Sequence, residues 1–163
     1  MYHQLKNDLR MSLLTDLSAL NQKLKIADIK VETLDQYELT ADQRVFFEEY
    51  RPENKLIIYG TLAPGKPNHH KISHIQGEWK SAILKGGKLE SKGWGADLGF
   101  NGFVSAPENE QIDISCYVLF SDDLSNHWYS LDEFEGDGYR RILAGYELED
   151  GQKGFGYIYG INQ

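Results

Sequence analysis

The chain has 163 residues, of which 40% are hydrophobic and 26% are charged, a composition that fits a globular protein of about one domain. Its formal net charge of -8 argues against a nucleic-acid partner, because nucleic-acid binding usually requires a clustered excess of Lys and Arg. No apolar run approaches the roughly 18 to 20 residues of a membrane span, and the charged N-terminal residues lack a signal-peptide core. We therefore expect a cytoplasmic protein that binds neither nucleic acid nor membranes.

The first 50 or so residues are predicted to be helical. Six leucines recur at spacings of three and four, which predicts one long helix over residues 3–25. Thr40 and Gln43 have the spacing of a capping box, and this predicts a second helix that ends before Pro52. Residues 1–52 are thus an N-terminal helical extension. We favour its packing on the main domain, and the alternative is a surface for a homodimer or another partner. The six leucines are Leu5, Leu9, Leu13, Leu17, Leu20 and Leu24.

From Lys55 onward the pattern changes to that of strands and turns. Short apolar or alternating runs are separated by Gly, Asn, Asp and Pro, and one helix interrupts them at about residues 123–134. Because regular βαβ alternation is missing, we predict an α+β domain over residues 53–163. It would contain a small, mixed, mostly antiparallel β-barrel with flanking helices. The predicted strands are 55–60, 79–90, 100–105, 113–121, 139–148 and 154–160.

The first candidate site is the turn Tyr59-Gly60-Thr61-Leu62, which directly follows the apolar run Leu56-Ile57-Ile58. Backbone amides exposed at the end of a strand can hold a carboxylate, and the Thr61 hydroxyl would add a further donor. The alternative is an ordinary turn in which Gly60 relieves backbone strain. The turn alone does not decide between these interpretations.

The second candidate site is Glu135, a carboxylate in line with the apolar stripe of the predicted helix. A buried carboxylate is costly unless it is paired or neutral. One explanation is pairing with Arg140 or Arg141, or capping of local amides. The other is a general base or acid in a cleft, with a pKa raised above roughly 4.3 by partial burial and by Asp132. The residues within this sector of roughly 60° are Leu124, Trp128, Leu131 and Glu135.

The histidines and the cysteine are weaker candidates. His70 and His74 have the i, i+4 spacing of zinc-binding helices, and His69 lies beside them. Their surroundings are typical of a loop, so we favour a polar loop over a metal site. Cys116, the single cysteine, lies in an apolar run and is expected to be a buried, inert thiol. Nucleotide-binding and nucleophile-elbow motifs are missing from the sequence.

Taken together, two motifs resemble the γ-glutamylcyclotransferase-like superfamily. The first is Tyr59-Gly60-Thr61-Leu62-Ala63-Pro64-Gly65, and the second is Leu131-Asp132-Glu133-Phe134-Glu135-Gly136, followed by Tyr139-Arg140-Arg141. The segment Gly65-Lys66-Pro67-Asn68-His69 looks most like the γ-glutamylamine cyclotransferase and avirulence-induced-gene-like branch. The resemblance covers roughly residues 55 to 160 and implies a small mixed β-barrel flanked by helices.

The resemblance also implies an activity. The enzyme would cyclise the γ-glutamyl group of a γ-glutamyl amine or peptide to 5-oxoproline and release the amine, without metal or cofactor. The loop from Tyr59 to Leu62 would bind the glutamyl part, and Glu135 would be the general base and acid. Tyr139 would close the pocket, unless it only packs within the barrel. The alternative function is a non-catalytic member of the same fold that binds a small metabolite or a protein.

Overall fold

The computed structural model describes residues 17–26, 39–60, 62–90, 102–136 and 138–161. Thr61 and residues 3–16 of the predicted first helix lie outside this set. The chain divides into two compact units, Met1–Arg51 and Pro52–Gln163. The packing of the first unit on the second stays a prediction, as does its use in a homodimer. Within the described ranges, every helix is too short or too polar to cross a membrane.

The N-terminal unit contains helices α1 (Leu17–Ile26) and α2 (Ala41–Tyr50). The capping box predicted at the start of α2 is confirmed. Gln43 N donates to Thr40 Oγ1 at 3.2 Å, and Thr40 N donates to Gln43 Oε1 at 2.9 Å. Lys23 Nζ also donates to Gln43 Oε1 at 2.9 Å and so connects the two helices. The capped start and the end of α2 at Tyr50, before Pro52, are therefore encoded locally.

The C-terminal unit contains a seven-stranded mixed sheet in the order β1-β5-β2-β6-β7-β4-β3. A parallel pairing of β1 with β7 joins the first strand of this order to the fifth and closes a five-stranded barrel. Strand β4 continues the sheet beyond β7 in parallel, and β3 pairs antiparallel with β4. The predicted mixed, mostly antiparallel barrel is confirmed. The strands are β1 (Lys55–Ile58), β2 (Glu78–Lys85), β3 (Gly87–Glu90), β4 (Gly102–Ser105), β5 (Ile114–Phe120), β6 (Tyr139–Leu148) and β7 (Lys153–Ile161).

Two predicted elements differ from the structure by more than two residues at a boundary. The strand predicted over 79–90 is broken at Gly86, whose φ of 91° lies in the left-handed region that favours glycine. The helix predicted from residue 123 starts later, as α3 (Trp128–Glu135), and a 3₁₀ turn over Asp122–Asn126 precedes it. Ser121 Oγ accepts a hydrogen bond from Asp123 N at 3.1 Å, and this local bond favours the tighter turn. Leu124 is buried, but it lies on the 3₁₀ turn rather than on α3.

The barrel interior is filled by alternate residues of its strands, as the period of two in a strand requires. Leu84, Val118 and Ile158 are 0% exposed and lie in one hydrophobic cluster with Ile57. Cys116 belongs to the same cluster, and burial raises the pKa of its thiol to about 12. The expectation of a buried thiol is thus confirmed, and the raised pKa is typical of an unreactive one.

The barrel closes where β7 lies close to β1. A Cβ atom on Gly156 would lie 2.9 Å from the Lys55 carbonyl oxygen and 3.0 Å from Lys55 Cβ. Glycine at this position therefore allows the close approach of the two strands. Because β1 leads directly into the Tyr59 turn, this contact also determines where the turn lies relative to β7.

Candidate functional site

The loop after β1 is fixed by contacts at its two ends. Ala63 N donates to the Gly60 carbonyl oxygen at 3.1 Å, which forms a turn. Leu62 is 8% exposed, and its carbonyl oxygen accepts a hydrogen bond from His69 Nδ1 at 2.9 Å. The His69 ring packs edge-on against Trp79, with 5.3 Å between the ring centroids. His69 thus holds the loop in place, a role that its position in the sequence did not indicate.

His70 and His74 have different contacts. His70 Nδ1 donates to the Pro67 carbonyl oxygen at 3.1 Å, and the His74 ring packs against His127 with 5.3 Å between centroids. Over the part of the chain that the structure describes, no group of three or more His, Cys, Asp or Glu residues is arranged to hold a metal ion. The contacts of these histidines fit the polar loop predicted from the sequence.

The space around the Gly60 Cα atom is unobstructed. A Cβ atom on Gly60 would meet no described atom within 4 Å, and its φ lies outside the left-handed region. The interpretation that Gly60 relieves backbone strain is therefore wrong, and the strained glycine of the loop is Gly65, with φ 79°. Gly60 is exposed, whereas Leu62 is buried and Thr61 lies outside the described residues.

Tyr59 connects the loop after β1 to strands β7 and β4. Its hydroxyl donates to the Tyr159 carbonyl oxygen at 3.0 Å and accepts from Phe103 N at 2.9 Å. Burial raises the pKa of Tyr59 well above the usual value, so the hydroxyl stays protonated at neutral pH. Tyr59 therefore ties the end of β1 to both β7 and β4.

We expect Tyr59→Phe to lower the free energy of unfolding by about 1 to 3 kcal/mol, because it leaves the Phe103 amide and the Tyr159 carbonyl without their shared partner. Urea denaturation would measure the change. Tyr129→Phe is the matched control, because this tyrosine is 62% exposed and its loss should change stability by less than about 0.5 kcal/mol. Equal effects of the two substitutions would contradict the role of the Tyr59 hydroxyl.

Glu135 is the last residue of α3, and Gly136, with φ 74°, ends the helix behind it. Burial raises the pKa of Glu135 to about 7, and the nearby Asp132 carboxylate adds to the rise. Both causes were expected from the sequence, and both are confirmed. Glu135 and Tyr139 each act electrostatically on Tyr59. The fold thus brings Glu135 and Tyr139 close to the loop that follows β1.

Asp132 is the centre of a half-buried polar cluster beside Glu135. Tyr159 Oη donates to Asp132 Oδ1 at 2.5 Å, and Arg141 Nε lies 3.2 Å from the same oxygen. Arg141 Nη2 donates to Asp132 Oδ2 at 3.2 Å. We call Asp132, Arg141 and Tyr159 the Asp132 cluster. The sequence left Arg141 as a candidate partner of Glu135, whereas in the structure its guanidinium pairs with Asp132.

Aromatic rings hold the Arg141 guanidinium in the Asp132 cluster. Its Cζ lies 4.6 Å from the Trp128 ring centroid and 4.9 Å from that of Tyr157, distances at which cation–π attraction is significant. Trp128 is itself fixed, because its Nε1 donates to the Glu53 carbonyl oxygen at 3.0 Å. The sequence patterns did not identify Tyr159 as a residue of this site. Strand alternation places Tyr157 and Tyr159 on one face of β7, but it does not indicate that this face meets α3.

A cavity of about 710 Å³ adjoins the loop. The loop side is lined by Tyr59, Ala63 and Lys66, and strands β5 and β6 contribute residues that include Tyr117 and Glu147. Its volume is within the range of small-ligand sites. The described part of the loop therefore borders a volume large enough for a small molecule, but Glu135 and Tyr139 do not line this cavity.

The fold and the site define a class of protein, a small closed β-barrel in which a carboxylate at a helix end lies near a strand-end loop. A sequence model described as gamma-glutamyl cyclotransferase, AIG2-like, matches residues 56–163. The chain therefore belongs to the γ-glutamyl cyclotransferase, AIG2-like family. The matched range includes both motifs that carried the resemblance, and it leaves the N-terminal helices outside.

Solved structures of similar fold include YkqA from Bacillus subtilis, with 26% sequence identity and a TM-score of 0.50. The similarity covers 67% of this chain and 36% of YkqA, so this chain matches about a third of that protein. An AIG2-like protein from Mus musculus has 19% identity and a TM-score of 0.48, with coverage of 66% and 76% of the two chains. Comparison with curated proteins found no match.

Proposed function

We propose that this protein is a γ-glutamylcyclotransferase-type enzyme that converts the γ-glutamyl group of a γ-glutamyl amine or peptide to 5-oxoproline and releases the amine. Membership of the family supports the reaction class. The observation that carries the proposal is the partly buried carboxyl group of Glu135 at the end of α3, near Tyr59, where burial raises its pKa to about 7. A carboxyl group with this pKa can both accept and return a proton at neutral pH.

Glu135 would begin the reaction by taking a proton from the α-amino group of the substrate. Because a free α-amine has a pKa of roughly 7.7 to 8.0, much of it is protonated at neutral pH, and a base is needed. The freed nitrogen then attacks the γ-carbonyl carbon of the same molecule. The new C–N bond closes the five-membered ring, the bond to the departing amine breaks, and the two protons that the α-ammonium nitrogen has lost end on the departing nitrogen, with Glu135 returning the first.

The loop would orient the substrate for this attack. The amides of Gly60 and Leu62, together with Thr61 as the sequence predicts, would donate to the α-carboxylate. Tyr139 would close the pocket near Tyr59. Because nucleophile and electrophile belong to one molecule, binding only has to hold a folded conformation that is close to the geometry of attack. One carboxyl group and one loop are sufficient for this chemistry.

The test is incubation of the full chain with a panel of γ-glutamyl amines and γ-glutamyl peptides, with 5-oxoproline as the measured product. The control for each compound is its α-glutamyl isomer, which has no amine attached to the γ-carbonyl group and cannot release one by this route. We expect 5-oxoproline from at least one γ-linked compound and from none of the isomers. A folded protein that yields none from the whole panel would be a non-catalytic binding module of the same fold.

A further inference from the structure

The side chains of the Asp132 cluster make more contacts and are more buried than those of a surface ion pair. Its carboxylate is contacted by three donor atoms, Tyr159 Oη, Arg141 Nε and Arg141 Nη2. The side chains of Arg141 and Asp132 are only 12% and 17% exposed. The guanidinium is further held between the rings of Trp128 and Tyr157. The Asp132 carboxylate therefore has one fixed position at the end of α3.

This fixed carboxylate lies next to Glu135. The two residues are three apart on α3, and residues with this spacing are neighbours on a helix surface, with about 5 to 6 Å between their Cβ atoms. Among the described residues of other elements, Tyr59 at the end of β1 and Tyr159 on β7 interact electrostatically with Glu135.

Strand β6 carries two arginines next to Tyr139. Arg141 is paired with Asp132, and the preceding residue, Arg140, begins the strand together with Tyr139. The tyrosines carry no charge while they are protonated. Asp132 is thus the negative charge that neighbours Glu135 on the same face of α3.

We propose that the Asp132 cluster acts on the reaction through Glu135, because it fixes the Asp132 carboxylate one helical turn from Glu135, where it opposes a second negative charge. This inference rests on the proposed function, in which Glu135 transfers protons. Asp132 is then a positioning residue that does not touch the substrate. With a neutral residue at position 132, the repulsion that opposes ionisation of Glu135 is lost and Arg141 has no anionic partner. Both changes favour the ionised form of Glu135.

The test follows the ionisation of Glu135 directly, by NMR titration of its ¹³C-labelled side-chain carboxyl group, assigned by its loss in Glu135→Gln. In the wild type the midpoint is expected near pH 7. In Asp132→Asn we expect the midpoint to fall by about one pH unit. The acid limb of the kcat/KM profile should shift to lower pH with it, because the free enzyme's essential base determines that limb.

The matched control is Glu133→Gln, which removes the same charge from the neighbouring position of α3. Glu133 is exposed, so its charge is screened by solvent, and the Glu135 midpoint should stay within about 0.3 pH units of the wild type. A merely structural role for Asp132 would lower stability without moving the midpoint of Glu135. Equal midpoints in the wild type and Asp132→Asn would therefore overturn the inference.

Asp132→Asn risks misfolding, because it leaves the buried Arg141 charge unpaired. The double variant Asp132→Asn/Arg141→Gln removes both charges, and we expect a smaller fall in the Glu135 midpoint than in the single variant. An unchanged midpoint in the double variant would also overturn the inference. The two proposals can fail separately. A shifted midpoint in a protein that releases no 5-oxoproline supports the electrostatic role and rejects the enzyme, whereas an active enzyme with an unshifted midpoint rejects only the inference.

Discussion

Replacing Glu135 by Gln is expected to lower the rate of 5-oxoproline release by about 100- to 10,000-fold, the range of a general acid–base contribution. The glutamine side chain would have nearly the same shape, but it could neither take the proton from the α-amine nor return it to the departing amine. The measurement is kcat/KM on the best compound of the panel. Circular dichroism would check that the fold is intact.

Glu133→Gln is the matched control for this experiment, because it makes the same chemical change on the exposed side of α3. We expect it to retain activity within about twofold of the wild type, as a screened surface charge should. Full activity in Glu135→Gln would show that Glu135 is not the base. A large loss in both variants would indicate damage to α3 rather than loss of proton transfer.

Glu135→Gln should also change how the free energy of unfolding depends on pH. Folded Glu135 has a pKa of about 7 against an ordinary value of 4.5, so the folded state holds this proton more tightly than the unfolded state. Its stabilising contribution is fully present below about pH 4.5 and is lost as the pH rises to about 7. The loss is on the order of 3 kcal/mol. Glu135→Gln should therefore gain stability relative to the wild type between pH 4.5 and pH 8, as urea denaturation would measure.

Gly156→Ala is expected to lower the free energy of unfolding by about 1 to 3 kcal/mol, the usual cost of overpacking. The added methyl group would lie 2.9 Å from the backbone carbonyl oxygen of Lys55, and a backbone atom cannot move aside as the end of a flexible side chain can. The substitution pushes apart β1 and β7, the pair that closes the barrel. Activity should fall as well, because the loop after β1 would move relative to Glu135.

Gly145→Ala is the matched control in the neighbouring strand β6. Its Cβ atom would lie 3.4 Å from a ring atom of Phe155 and 3.9 Å from the Gly154 carbonyl oxygen, so only a small side-chain adjustment is needed. We expect a change of less than about 0.5 kcal/mol, because alanine also loses less conformational freedom than glycine on folding. Equal destabilisation by the two substitutions would contradict a special role for the β1–β7 contact.

Several features of the site are local and could be predicted from the sequence. The turn after β1 follows an apolar run, and Glu135 follows Leu131 and Trp128 at helical spacing. Helical spacing alone also predicted that Asp132 would raise the pKa of Glu135. The prediction was less exact for Leu124, which lies on a 3₁₀ turn, because the hydrogen bond from Asp123 N to Ser121 Oγ competes with the α-helical pattern.

By itself, therefore, the sequence determined the strands, the capped second helix and the candidate base, because short-range spacing encodes each of them, and the resemblance of its two motifs indicated the family. The tertiary structure decided that Arg141 pairs with Asp132 and that Tyr59 bonds to Phe103 and Tyr159. These partners come from different strands, and the Tyr59–Tyr159 pair spans 100 positions of the chain. Their meeting depends on strand register and on the closure of β1 against β7, which residue spacing within a single element cannot specify.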